Sequence, residues 1–254
     1  MIDNLSVIII ARNEEKDIVD CLKSVNDIAS DVIVIENGST DNTSLVAKKH
    51  KAKVVEYPKP ADEGHFGDLR NFAVKQAKGD WVLFVDADER LDEKLKDEIK
   101  MVISKNAAEA FAIPRRNILL GKEMKHGGWW PDYVLRLFKR EAFTGYVGKV
   151  HEQPLIKGET KKLKHPFVHL THQNITEMLD KTNKWSEIEA RLLIEAHHPP
   201  MTILRFFSAG FREFWKRGIV KGGFLDGKEG AIEVFYQVYS RLITYAKLWE
   251  LQLK

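Results

Sequence analysis

Four short apolar runs recur through the first 105 residues with helical patterns between them. The runs are Val7-Ile8-Ile9-Ile10, Val32-Ile33-Val34-Ile35, Val54-Val55 and Trp81-Val82-Leu83-Phe84-Val85. They are continuous rather than alternating, and three are rich in β-branched residues. Strands covered on both faces read this way. Between them, Ile18, Cys21, Leu22 and Val25 recur at helical spacing, Ser39-Thr40-Asp41 can cap a helix carrying Leu45 and Val46, and Leu69, Phe72, Ala73 and Ala77 mark a third helix. Leu95, Ile99, Val102 and Ile103 mark a fourth. Alternation of strand and helix predicts an α/β fold with a mostly parallel central sheet flanked by helices.

The pattern changes after residue 105. Phe111-Ala112-Ile113-Pro114 and Val134-Leu135-Arg136-Leu137-Phe138 read as strands, separated and followed by loops rich in Gly, Trp and His. From about residue 175 the sequence reads helical, punctuated by His197-His198-Pro199-Pro200 and by Gly222-Gly223 and Gly227. The expected organisation is a catalytic domain over 1–175, in which 1–105 binds a nucleotide and 106–175 forms the acceptor side. A helical C-terminal extension over 176–254 completes it.

A parallel sheet invites a nucleotide at its carboxyl edge, but the usual phosphate-cradling loops are missing. Residues 1–60 contain one glycine, Gly38, which excludes a G-x-G-x-x-G turn after the first strand. No G-x-x-x-x-G-K-[ST] occurs, so a P-loop enzyme is excluded. Phosphate charge must then be neutralised otherwise. Asp86-Ala87-Asp88-Glu89 follows the most apolar run. Read as extended backbone, it puts Asp86 and Asp88 on one side, where the pair can hold a hard divalent cation that in turn binds a diphosphate. The competing reading is an acidic strand end and helix cap, with Asp88 or Asp92 in that role. Glu36 follows the second run and can accept from a base N–H or a ribose hydroxyl. Arg70 lies on the helix before the fourth run and either faces a phosphate or base or is a surface arginine.

Four stretches in fixed order, Ser6 to Glu15, Glu36-Asn37-Gly38-Ser39-Thr40-Asp41-Asn42-Thr43, Arg70-Asn71 and Phe84 to Glu89, resemble glycosyltransferase family 2. The later stretches Ile113-Pro114-Arg115, Gly127-Gly128-Trp129-Trp130-Pro131-Asp132, Arg136 to Arg140, Val150-His151-Glu152 and Lys221 to Gly227 resemble its branch of lipopolysaccharide inner-core β-1,4-glucosyltransferases. The resemblance implies an inverting, metal-dependent transferase with the GT-A fold. Its donor would be a nucleotide-diphospho-sugar, UDP-glucose, and its acceptor a saccharide of a cell-envelope glycolipid. Ala11, Arg12, Glu14, Glu36, Arg70 and Asp86 would then line the nucleotide-sugar pocket. Glu36 stands where the family usually has an aspartate. Asp86 and Asp88 match the metal-binding D-x-D for Mg²⁺ or Mn²⁺, with Asp88 the more direct ligand. His172 matches a later histidine that completes the metal sphere in some GT-A enzymes; a structural histidine is the other reading. Inversion needs a base for the acceptor hydroxyl, and Glu152 takes that place by position, with Asp132 as competitor. Trp129 and Trp130 suit either sugar stacking or core packing.

The remaining alternatives are a polyprenyl-phosphate sugar synthase and a non-catalytic saccharide-binding protein. The elaborate 106–175 segment argues against the first, and intact Asp86, Asp88 and Glu152 against the second. The net charge is +3, yet residues 201–254 hold nine Lys/Arg against five Asp/Glu, a net +4. In 203–217 the apolar residues cover a wide helical arc while Arg205, Arg212 and Lys216 fall within ~40° of each other. This helix either lies on an anionic membrane or packs its apolar side on the catalytic domain. No nucleic-acid motif appears. A single cysteine, Cys21, excludes a disulfide framework. The N-terminus shows no basic start and a short apolar run, and no stretch reaches the ~18 apolar residues of a span. These features predict a cytoplasmic protein with peripheral contact at the inner face of the cytoplasmic membrane.

Overall fold

The β-branched runs form the centre of the sheet. A computed structural model of the chain describes residues 1–58, 66–147 and 153–253. Strands β1 (Ile2–Ala11), β2 (Ala29–Glu36), β3 (Lys53–Glu56) and β4 (Trp81–Asp86) lie parallel in the order β3-β2-β1-β4. Helices α1 (Ile18–Val25), α2 (Thr43–Lys49) and α3 (Phe66–Val74) connect them. Successive side chains of each run reach opposite faces, and both faces are buried. Val7, Ile9 and Val34 pack with Ile18 and Leu22, while Ile8, Ile33, Ile35 and Phe84 pack with Leu69 and Ala73. Leu45 departs from expectation: α2 leaves it exposed and buries Ala47 instead.

One close approach fixes the start of β4. A Cβ on Gly79 would meet Asn4 O at 2.6 Å and Ser6 N at 2.7 Å, so the position requires glycine. The Gly79 and Lys78 amides donate to the buried Ser6 Oγ at 2.8 and 3.0 Å, and that hydroxyl donates to Asp31 at 2.5 Å.

Beyond β4 the sheet becomes mixed, where the βα alternation of the sequence ends. It uses β5 (Glu89–Arg90), β6 (Ala110–Leu119), β8 (Asp132–Lys139) and β12 (Phe167–His169), and continues β4-β8-β6-β12-β5. β8 runs antiparallel to β4, pairing Leu83 with Leu137. Helix α4 (Glu93–Ser104), between β5 and β6, is capped by Asp92, whose Oδ1 accepts from Leu95 N at 2.9 Å. β7 (Lys122–Glu123) makes a short hairpin with the end of β6, and β11 (Thr160–Lys162) runs parallel to its start. β9 (Phe143–Val147) and β10 (Gln153–Ile156) form a separate antiparallel pair.

The chain divides into two units. The first is Met1–Arg115 with Tyr133–His169, and the second is Arg116–Asp132 with Leu170–Lys254. The second unit carries helices α5 (Ile175–Glu195), α6 (Ile203–Phe214) and α7 (Gly227–Gln252), with α7 packed on both others. A π-helical turn (Trp215–Val220) and a 3-10 turn (Gly223–Asp226) join α6 to α7. Asp226 pins the Gly- and Trp-rich loop: its Oδ2 accepts from the Lys125 and His126 amides at 3.0 and 2.8 Å, and its Oδ1 lies 2.7 Å from His126 Nδ1. Gly230 is required by contact, since a Cβ there would meet Gly223 O at 2.1 Å.

Glu233 on α7 is buried. Gln237 Nε2 donates to its Oε1 at 2.7 Å, and its Oε2 has no hydrogen-bond partner among the described residues. Burial pushes its carboxyl up to about 7, against the Gln237 bond and the charge of Arg217. The folded chain thus holds a proton that the unfolded chain releases from its ordinary value of 4.5. Stability falls as pH rises through the interval between those two values, and the penalty is complete above the upper one. Glu233→Gln removes it. Denaturant unfolding should show the variant more stable than wild type at pH 8, by at most roughly 3 kcal/mol, and close to wild type at pH 4.5.

Candidate active site

At the carboxyl end of β4 the chain does not stay extended. The strand stops at Asp86, and Ala87-Asp88 form a turn before β5. The two aspartates therefore do not share a strand face, contrary to the alternation argument. Asp86 Oδ2 accepts from Arg136 Nη2 on β8, and Arg70 Nη2 on α3 lies 3.8 Å from Oδ1. Asp88 Oδ2 instead lies 3.3 Å from His169 Nε2. The pairing of β12 with β5 causes this, because it sets His169 opposite Glu89.

Glu89 is the anchor of the turn. It is fully buried, and its Oε2 accepts from the Asp86 amide at 2.9 Å. Its Oε1 lies 3.8 Å from Arg136 Nη2 and 3.9 Å from Arg115 Nη1. Arg90 clasps the backbone of the same turn, donating to Ala87 O at 2.6 Å and Glu89 O at 2.8 Å, and ties it to the start of α1 by donating to Asp17 O at 2.7 Å. Burial by itself would raise the Asp86 carboxyl, but the guanidiniums of Arg136, Arg70 and Arg115 more than offset it and hold Asp86 at about 2. Burial and the Asp86 charge push Glu89 up, while the Asp86 and Glu89 carboxylates push Arg136 up despite its burial.

Arg70 is oriented by two aromatic faces. Its guanidinium carbon sits 5.3 Å from the Phe84 ring centroid and 5.5 Å from that of Tyr146. Asn71, the next residue, fastens β9 by accepting from Tyr146 N at 2.7 Å. Arg70 Nη1 is buried and has no hydrogen-bond partner among the described residues. Arg70 and Arg136 line a cleft of about 380 Å³ together with Tyr146, Tyr133, Gln153 and Pro154. A cleft walled by two guanidiniums and aromatic rings, with a spare N–H donor, suits an anionic ligand.

The loops after β1 and β2 bind each other. Asn13, at φ 58°, donates from N to Ser39 Oγ at 3.1 Å, and its Oδ1 accepts from Thr40 N at 2.7 Å. The Glu14 amide donates to Thr43 Oγ1 at 2.8 Å and the Glu15 amide to Asp41 Oδ2 at 3.1 Å. Glu36 Oε1 accepts from Ser39 N, closing the turn after β2. Ala11 is buried, and its carbonyl accepts from Asn37 N at 3.1 Å. Arg12 is exposed and the Glu14 side chain half-buried. Much of the Asn-Glu-Glu and Ser-Thr-Asp signature thus shapes the sheet edge rather than waiting for a ligand.

The structure brings Asp86 and Arg70 together in the first unit, with Asp88 in the following turn beside His169. Asp132 belongs to the second unit, where its Oδ2 accepts from Asn117 Nδ2 at 3.2 Å. His172 also belongs there, with ring edges against Trp129 and Tyr236. Glu152 lies outside the described residues, as does His151. Arg136, Glu89, Arg115 and His169 had no assigned role in the sequence reading. A charge inside the apolar run Val134-Leu135-Arg136-Leu137-Phe138 was the available signal, since a guanidinium there requires a buried carboxylate.

Among the described residues no group of three or more His, Cys, Asp or Glu is gathered as a metal cage. Asp88 and His169 nevertheless offer a carboxylate oxygen and an imidazole nitrogen at a separation that two ligands of one ion share. That pair would fit a divalent cation and would leave its other positions to be filled from outside the protein.

Comparison with known proteins decides the class. Residues 6–157 match the family model Glycosyl transferase family 2. The chain belongs to that family. It is similar to an uncharacterized glycosyltransferase of Rickettsia typhi, 27% identical over 98% of this chain and 88% of that protein. It is also similar to the lipopolysaccharide core biosynthesis glycosyltransferase LpsC of Rhizobium meliloti, 26% identical over 97% of this chain and 92% of that protein. Among solved structures, S. aureus TarS 1–349 in complex with UDP-GlcNAc covers 98% of this chain, which spans 90% of that one, with a TM-score of 0.54 and 16% identity. The likeness establishes the GT-A fold, and the family establishes a glycosyltransferase.

In this glycosyltransferase the Arg136 guanidinium faces the buried Glu89 and the half-buried Asp86. Arg136→Met should destabilise the fold by roughly 3 kcal/mol, because Glu89 keeps only Arg115, at 3.9 Å, and Asp86 only Arg70, at 3.8 Å. Adding Glu89→Gln should recover part of that loss, so a urea-denaturation double-mutant cycle should give a non-additive coupling. Additive effects would contradict the assignment.

Proposed function

We propose that this family 2 glycosyltransferase moves a hexose, glucose from UDP-glucose, with inversion onto a saccharide of a cell-envelope glycolipid such as a lipopolysaccharide core. The observation that carries the reading is the turn at the end of β4. It offers Asp88 beside His169 at the carboxyl edge of a parallel sheet, two residues beyond Asp86, whose partners Arg70 and Arg136 line a cleft. Substrates bind at such edges in open α/β sheets. The name of LpsC supports the envelope acceptor, and the TarS complex with UDP-GlcNAc supports a uridine-diphospho-sugar donor.

Asp88 and His169 would hold the divalent cation, Mg²⁺ or Mn²⁺, with His172 the alternative histidine. When bound, such an ion neutralises charge on a departing diphosphate. Arg70 and Arg136 add fixed positive charge on the cleft wall, and Arg70 Nη1 supplies a donor to an anionic oxygen. Asp86, kept ionised by its arginines, holds those guanidiniums in place. Arg12, Glu14 and Glu36 serve the nucleoside end. For the chemical step, the acceptor hydroxyl loses its proton to a carboxylate as its oxygen attacks the anomeric carbon opposite the diphosphate. Glu152 is proposed for that role and Asp132 is its competitor. An acceptor of this kind is anchored in a bilayer, so the enzyme must work at a membrane surface.

The test is a thermal-shift series with nucleotide sugars, with and without Mn²⁺. UDP-glucose should stabilise the wild-type protein by several degrees when the cation is present. Asp88→Ala should lose that cation-dependent part together with transfer; undiminished stabilisation would refute the metal role. Glu152→Gln should keep the stabilisation and lose turnover. If Asp132→Asn behaves that way and Glu152→Gln does not, the base is Asp132.

A further inference from the structure

Within its own unit, helix α6 leaves its apolar side uncovered. Its buried positions are Ala209, Gly210 and Glu213. Ile203 and Leu204 are 77% and 82% exposed, and Phe207 and Phe211 are 66% and 62% exposed. Trp215, Ile219, Val220 and Leu225 carry the exposed surface through the two turns that follow. At 100° per residue, Ile203, Leu204, Phe207, Phe211 and Trp215 span an arc of about 120°. Buried positions adjoin one edge of that arc, and Arg205, Arg212 and Lys216 adjoin the other. An exposed apolar surface of this extent marks an interaction site.

Charge identifies what covers it. From Met201 to Leu225 the chain carries Arg205, Arg212, Lys216, Arg217 and Lys221. The single acid in that stretch, Glu213, is buried, and Arg217 Nε donates to its Oε1 at 2.5 Å. The exposed charges of this stretch are therefore all cations. A second copy of the chain would bring like charges together, which opposes self-association. The two phenylalanines with Trp215 and flanking arginines match a helix lying in a bilayer interface, with aromatic rings at headgroup depth and long basic side chains reaching lipid phosphates. Among the described residues no helix is long and apolar enough to cross a membrane, so the contact is in-plane.

We propose that α6 and the turn after it form a membrane-docking surface that binds an anionic lipid bilayer through Phe207, Phe211 and Trp215 and through Arg205, Arg212 and Lys216. It rests on the glycolipid-acceptor reading only for its purpose; the binding itself is independent of catalysis.

The experiment is co-sedimentation of the full chain with vesicles of phosphatidylcholine alone and with 30% phosphatidylglycerol. Binding to the anionic vesicles should exceed binding to the neutral ones roughly tenfold or more and weaken with salt. Arg205→Gln/Arg212→Gln/Lys216→Gln should abolish that preference. Phe207→Ser/Phe211→Ser should weaken binding to the anionic vesicles at every salt concentration. Both variants replace exposed side chains and should keep the wild-type circular dichroism and the UDP-glucose/Mn²⁺ thermal shift. Equal sedimentation with both lipids would overturn the proposal. So would a concentration-dependent dimer that Phe207→Ser/Phe211→Ser dissociates in the absence of vesicle binding. Loss of lipid binding with an intact nucleotide response removes the docking surface and leaves the transferase reading standing; lipid binding without a nucleotide response does the reverse.

Discussion

A guanidinium held between two carboxylates inside the protein organises the end of β4. Arg136 arrives from β8, Asp86 closes the strand, and Glu89 comes back from the turn to accept the Asp86 amide. Buried charges of this kind are costly alone and are offset here by opposite charges, although Glu89 Oε1 and Arg136 Nε make no hydrogen bond among the described residues. The set holds the turn together. It fixes the path of residues 86–89, ties the parallel half of the sheet to its antiparallel half, and leaves Arg70 on two aromatic faces with one donor to spare. The same constraint divides labour between the two aspartates. Asp86 is engaged by arginines, whereas Asp88 stands a turn away beside His169.

A glycine-poor nucleotide edge follows the same logic. Loops that cradle phosphate with backbone amides need glycine for close approach. Here the loops after β1 and β2 spend their amides on each other's side chains, through Asn13, Ser39, Asp41 and Thr43. In the proposed function, positive charge on the cleft wall, from Arg70 and Arg136, would take the place of amide donors.

The architecture was legible in residue order. Continuous β-branched runs separated by helical spacing specify a doubly covered parallel sheet, and the loss of that rhythm after residue 105 marks its mixed extension. The site was legible only as a set of acids. Asp86-Ala87-Asp88-Glu89 reads as one solvated cluster, because spacing does not reveal which carboxylate turns inward; the fold buries Glu89. His169 was hidden for a related reason. Its meeting with Asp88 depends on a pairing between β5 and β12, some eighty residues apart, that no local pattern records. Arg136 carried a readable signal, a charge amid apolar strand residues, whose partner lay fifty residues away. For α6 the periodicity defined a broad apolar arc, but only the packing of Ala209, Gly210 and Glu213 shows which part is covered.

Anomalous X-ray diffraction from a crystal grown with UDP and Mn²⁺ tests the central claim most directly, since it locates the ion without reference to turnover. The account predicts a manganese peak at coordination distance from the Asp88 carboxylate, with diphosphate oxygens on the ion and the Arg136 bridge to Asp86 intact. UDP bound with the ion elsewhere, or with Asp88 turned away from it, would contradict the account.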